Sequence, residues 1–204
     1  MISNSNEIIP VRGLINNHKN GLGFFSIDEI SELEEMLNSK SIKEIDFQNF
    51  FVKHPHFLRL GDYRQVYPHV HLEKKYIPDF ILTNRELQKA AIVELKLPYP
   101  KLVTRKKNRE RFSYAIWEAR AQLLTYQKWF RDKYNRNKLL SAVNMPIYEP
   151  KLIVVIGRSD NFFDSFNRQQ LSSDMNDIDV YTFDDILNLA KERILLMGNR
   201  NYYR

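Results

Sequence analysis

The chain has 204 residues, 31 Lys and Arg against 25 Asp and Glu, a net charge of +6 and 43% apolar residues, a balance that fits one folded domain with a sizeable core and excludes a disordered chain. Cysteine is absent, which excludes a disulfide scaffold, zinc–thiolate and iron–sulfur centres and a cysteine nucleophile. No apolar run reaches the ~18 residues of a membrane span, and Met1–Pro10 lacks the basic and apolar regions of a signal peptide, so a cytoplasmic protein with no membrane association is expected.

Residues 1–40 read as an arm and a short helix. Gly13, Gly21 and Gly23 punctuate the arm without a sustained period, and Gly21-x-Gly23 lacks the length and the Lys-Ser/Thr of a phosphate loop, so no nucleotide cofactor is expected. Ser26 with Glu29 has the spacing of a capping box, and Ile27, Ile30, Leu33 and Leu37 recur at helical spacing, predicting a helix over 26–38. Ser41 with Glu44 repeats the pattern ahead of Ile45, Phe47, Phe50 and Phe51, predicting a second helix that stops before Pro55. It places Glu44 and Gln48 one turn apart on one face.

Tyr76–Leu82 and Ala90–Leu95 read as two hydrophobic strands joined by the polar segment Thr83–Lys89, with Pro98 and Pro100 ending the second. Lys101, Arg105, Lys106, Lys107, Arg109 and Arg111 form the densest basic cluster. From there to Tyr134 the stripe Phe112, Ile116, Ala119, Leu123, Tyr126 and Phe130 predicts a long helix. Asn135–Pro150 reads as a loop. The continuous run Leu152–Ile156 predicts a central strand covered on both faces. Ile178–Thr182 reads as a further strand, Asp184–Met197 as the last helix, and 198–204 as a tail. Residues 41–197 are therefore expected to form the main domain, α/β with a central mixed β-sheet flanked by helices.

The hairpin carries the chemistry. Centred between Glu86 and Leu87, it places Asp79 directly opposite Glu94, where facing Cα atoms lie about 4.5–5.5 Å apart. Strand alternation puts Lys96 on the same face as Glu94. Acidic groups inside hydrophobic strands are costly and repel one another unless a positive charge sits between them. Mg²⁺ suits such a site, with the Leu95 backbone carbonyl as a further ligand and Lys96 placed to orient a water or hold a phosphate. Spacing alone leaves a second reading equally open, a buried salt bridge between Lys96 and one carboxylate. His54 and His56 flank Pro55 at a spacing that suits a metal, but the sequence shows no third ligand. The Ser, Asp and His residues lack the context of a nucleophile elbow.

Pro78-Asp79 followed by Glu94-Leu95-Lys96 resembles the PD-(D/E)xK nuclease signature. The segments Glu44–Leu58, Tyr76–Leu82, Val93–Pro98, Ala119–Tyr126 and Ile153–Arg158 resemble, in order, motifs of the Shedu family of anti-phage nucleases, and the likeness spans residues 41–190. The resemblance implies a restriction-endonuclease-like core. It implies Asp79 and Glu94 as metal-binding acids, Lys96 as the catalytic lysine, Glu44 as an acid approaching the metal from the first helix, and Gln122 and Tyr126 as the Gln-x-x-x-Tyr pair lining the site.

The implied activity is Mg²⁺-dependent hydrolysis of DNA, with Mn²⁺ able to substitute, by a homo-oligomer. The basic cluster would contact phosphates without reading bases; its alternative is a solvated linker. Two other activities remain open on sequence grounds: a non-catalytic nucleic-acid-binding or assembly module, and a nuclease of RNA or single strands.

Overall fold

The computed structural model describes residues 26–200 apart from 75 and 108. The Gly13–Gly23 punctuation and the tail beyond Arg200 lie outside the described residues. Five strands form a mixed sheet in the order β1 (Gln65–Pro68), β2 (Phe80–Asn84), β3 (Lys89–Leu95), β6 (Lys151–Val155), β7 (Asp179–Tyr181). The first three run antiparallel, and β6 and β7 add in parallel. The parallel joins need crossovers. These are supplied by α3 (Tyr114–Trp129) and α4 (Lys133–Val143) between β3 and β6, and by α5 (Ser165–Asp174) between β6 and β7.

Alternation along the strands sorts the core into two halves. Ile81, Ile92, Leu152 and Val154 pack with Ile116, Leu123, Tyr126 and Phe130 around α3, and with Leu139, Val143 and Leu171 from α4 and α5. Phe80, Leu82, Val93, Ile153 and Val155 pack on the opposite side against α1 (Ile27–Asn38), α2 (Glu44–Lys53) and α6 (Phe183–Arg200). The unbroken apolar run of β6 thus serves both faces, as expected for a covered central strand. No helix among the described residues is long and apolar enough to cross a membrane.

Several elements differ from expectation. The capping box at Ser26 and Glu29 forms, but α2 is capped at Lys43, whose amide donates to Asp46 at 2.8 Å, rather than at Ser41. Glu44 becomes the first helical residue and its side chain is not spent on capping. The first strand of the hairpin starts at Phe80 rather than Tyr76. Beyond the end of β1, His69 turns the chain with φ of 47° ahead of this strand.

The long helix ends at Trp129. Asp132, accepting from the Asn135 amide at 3.0 Å, caps a separate helix α4 that runs on through much of the expected loop. The long helix starts at Tyr114 rather than Phe112, and the basic cluster ahead of it is not a plain linker. It forms the hairpin β4 (Val103–Lys106) and β5 (Arg109–Phe112), with Val103 opposite Phe112. The last helix runs through Gly198 to Arg200.

Gly157 follows β6 in the left-handed region, φ 67°, where an added Cβ would press into the Leu102 side chain. Its amide donates to Leu97 and its carbonyl accepts from Phe183, so it ties the chain after β3 to the start of α6. Gly157→Ala is expected to cost about 2 kcal/mol or more from strain and overpacking, read as a lower denaturant midpoint with unchanged slope. An unchanged midpoint would show that Leu102 yields freely.

Candidate active site

The register of β2 and β3 pairs Phe80 with Val93, so Asp79, just before β2, stands opposite Glu94. By alternation Asp79, Glu94 and Lys96 continue the side that carries Ile81 and Ile92 and face α3. Asp79 is 7% and Glu94 3% exposed, so both carboxylates lie out of bulk water.

Asp79 is held from both sides. Its Oδ1 accepts from Gln48 Nε2 and its Oδ2 from the Leu95 amide, each at 2.7 Å, and its own carbonyl accepts from the His69 amide at 2.9 Å. Glu94 accepts from Lys96 Nζ at 2.9 Å through Oε1, while its buried Oε2 has no hydrogen-bond partner. Lys96 also donates to Gln122 Oε1 at 3.2 Å, and Gln122 Nε2 donates to the Tyr126 hydroxyl at 2.8 Å. The Gln122 and Tyr126 side chains rise from α3 because the four-residue step stacks them on one face.

Burial is the largest influence on both acids. It pushes Asp79 up to about 6, with the Glu44 carboxylate adding to the effect. Glu94 is pushed up to about 7 by burial and then by Asp79, and Lys96 offsets only part of this. For Lys96, burial works against the ammonium, but Glu94, Glu44 and Asp79 together outweigh it and hold the lysine above its ordinary value. Burial likewise raises Tyr126. Desolvated acids beside a fixed ammonium, with one orphaned carboxylate oxygen, form a locus of negative charge that a hard divalent cation fits.

Glu44, the first residue of α2, approaches this centre from the side. It lines a cleft of about 150 Å³ together with Lys96, Leu97, Pro100, Ala115, Glu118 and Ile156. A larger depression, about 520 Å³, lies over α5 and β7 around Arg168, Ser172 and Tyr181 and holds none of the expected site residues. Lys101, Arg105, Lys106, Lys107, Arg109 and Arg111 are all exposed, and Leu102, Val103 and Phe112 anchor their hairpin in the core between Lys96 and α3.

The fold thus brings Glu44, Asp79, Glu94, Lys96, Gln122 and Tyr126 to one end of the sheet. Of Leu95, the structure shows the amide engaged with Asp79, and its carbonyl remains a proposed ligand. Gln48 was missed as a site residue although its place one turn after Glu44 was legible. A separate group able to hold a metal ion consists of Glu29, His54 and His56. Glu29 supplies the third candidate donor beside the two histidines.

An α/β protein with a mixed, helix-flanked sheet and a buried acid–lysine centre at the hairpin end is the class that fold and site define. Residues 41–187 match the family model described as Shedu protein SduA, C-terminal, and the chain belongs to that family. No curated protein matches the chain.

Proposed function

We propose that the protein is a metal-dependent DNA endonuclease of anti-phage defence, built on a PD-(D/E)xK centre in a restriction-endonuclease-like core. The observation that carries this reading is the convergence of Asp79, Glu94 and Lys96, with Gln122 and Tyr126 continuing the hydrogen-bonded chain into α3. Asp79 and Glu94 would hold Mg²⁺, with Glu44 and the Leu95 carbonyl as further oxygen donors; Mn²⁺ suits the same donors. Bound there, the cation supplies an acidified water and neutralises charge on the scissile phosphate.

The chain's own groups do the rest. Gln48 and the Leu95 amide fix the Asp79 carboxylate, so the acid does not reorganise when substrate arrives. Lys96, kept as an ammonium by its acidic neighbours, stabilises charge growing on the phosphate and orients the attacking water. Gln122 holds Lys96 from the α3 side, and Tyr126 holds Gln122. Residues 41–197 form the nuclease domain, and a homo-oligomer would place more than one such centre on a duplex.

The exposed β4–β5 hairpin, next along the chain from the site, would track the phosphate backbone. Replacing Arg105, Lys106 and Lys107 with serine is expected to weaken DNA binding and flatten its salt dependence by about 2–3 in log–log slope. Salt titrations with an unchanged slope would return the hairpin to a solvated excursion. A Mn²⁺ titration separates the enzyme from a non-catalytic binding module. The nuclease takes up Mn²⁺ at a site lost in Asp79→Asn, whereas identical Mn²⁺ uptake by both proteins would remove this centre from the account.

A further inference from the structure

Helix α1 meets the far end of α2 through Glu29, His54 and His56. Glu29 Oε1 lies 2.9 Å from His54 Nδ1, and Glu29 Oε2 lies 3.0 Å from His56 Nε2. One ligand atom from each of the three residues is within 4.8 Å of the other two. The two imidazoles are only 9% and 12% exposed, His54 against the ring of Phe50 and His56 against that of Phe57. Pro55 opens a 3-10 turn between them and so fixes how the rings converge.

We propose that Glu29, His54 Nδ1 and His56 Nε2 form a second metal site, distinct from the Asp79–Glu94 centre, for Zn²⁺ or a similar borderline transition-metal ion. A mixed imidazole and carboxylate set suits Zn²⁺, Co²⁺ or Ni²⁺, whereas Mg²⁺ favours oxygen donors and water. Ligand atoms around a tetrahedral ion sit about 3.3 Å apart at ordinary Zn–N and Zn–O lengths. The separations of 2.9 and 3.0 Å run from the two different Glu29 oxygens, and one ligand atom from each residue lies within 4.8 Å of the others, so side-chain adjustment alone brings the set to that spacing. His54 Nε2 is buried without a hydrogen-bond partner and stands 3.4 Å from Glu32 Oε2. The ion pins α1 to the C-terminal end of α2, the helix whose first two turns carry Glu44 and Gln48. The site is therefore a positioning device for the acidic centre.

The test uses the full chain carrying Asp79→Asn and Glu94→Gln, stripped with a chelator, titrated with Zn²⁺ alone and with Co²⁺ alone. One equivalent of Zn²⁺ should bind and raise the melting temperature, and Co²⁺ should produce visible d–d bands. Adding Glu29→Gln, or separately His56→Gln, should weaken Zn²⁺ at least ~10-fold and remove the bands. If the titrated protein takes up neither ion, or if both added substitutions leave the affinity unchanged, the cluster is a hydrogen-bonded clasp only and the proposal falls. Such a failure leaves the nuclease reading untouched, because the acidic centre has been disabled in every protein titrated.

Discussion

Replacing Lys96 with alanine is expected to lower DNA cleavage by about 10³-fold while leaving DNA affinity within a few-fold of the unsubstituted protein. The ammonium sits 2.9 Å from Glu94 and 3.2 Å from Gln122, fixed before any substrate arrives, so its contribution falls on the transition state rather than on binding. Phosphate affinity is expected to reside in the exposed hairpin instead. Single-turnover cleavage and DNA binding, measured on the same preparations, separate the two effects. A Lys96→Ala protein that cuts at the original rate would remove the lysine from the mechanism, and one that loses binding and cleavage equally would make it a phosphate anchor.

The second large effect has opposite signs for activity and stability. Glu94→Gln is expected to abolish cleavage, because one of the metal-binding acids is gone, yet to stabilise the metal-free protein above neutral pH. Asp79 and Glu94 rise to about 6 and about 7 in the fold, from ordinary values of 3.8 and 4.5. Between those limits the native state binds more protons than the unfolded chain. The contribution of these two acids to the stability of the metal-free protein is therefore greatest below about pH 4, falls as pH rises through about 4 to 7, and levels off above that. Glu94→Gln removes the larger share of this slope, and at pH 8 its melting temperature should exceed that of the unsubstituted protein by about 2–4 °C or more. Adding Mn²⁺ should reverse the order, stabilising the protein that retains Glu94. Equal pH profiles for the metal-free Glu94→Gln and unsubstituted proteins would show that Glu94 ionises without cost.

Much of this centre was legible because antiparallel pairing is arithmetic. Once the polar turn was located, Asp79 had to face Glu94, and the observed pairing of Phe80 with Val93 has that register. The α3 stripe was legible for the same kind of reason, a period sustained without Pro or Gly. Elements whose apolar content is thin were hidden. In α4 only Leu139 and Val143 are buried among lysines and asparagines, too few to announce a face. In β4 and β5, Val103 and Phe112 alone are buried strand residues, and the cations between them hid the hairpin in what read as a charged cluster or linker.

Contacts between distant elements were not legible at all. Gln48 reaching Asp79 and Glu29 reaching His54 depend on how α1 and α2 are laid against the sheet edge, which local spacing does not encode. The helical step from Glu44 to Gln48 pointed to the first. For the second, only the unsatisfied His-Pro-His spacing marked that a partner was missing.

The most direct test of the central claim is a time course on supercoiled plasmid and on a linear single strand, each with Mg²⁺, Mn²⁺ or EDTA, using the purified full chain. The plasmid is expected to convert to nicked or linear forms with Mg²⁺ and Mn²⁺ and to stay intact with EDTA. Cleavage that persists in EDTA, or well-folded protein that binds DNA and Mn²⁺ without cutting either substrate, would contradict the claim.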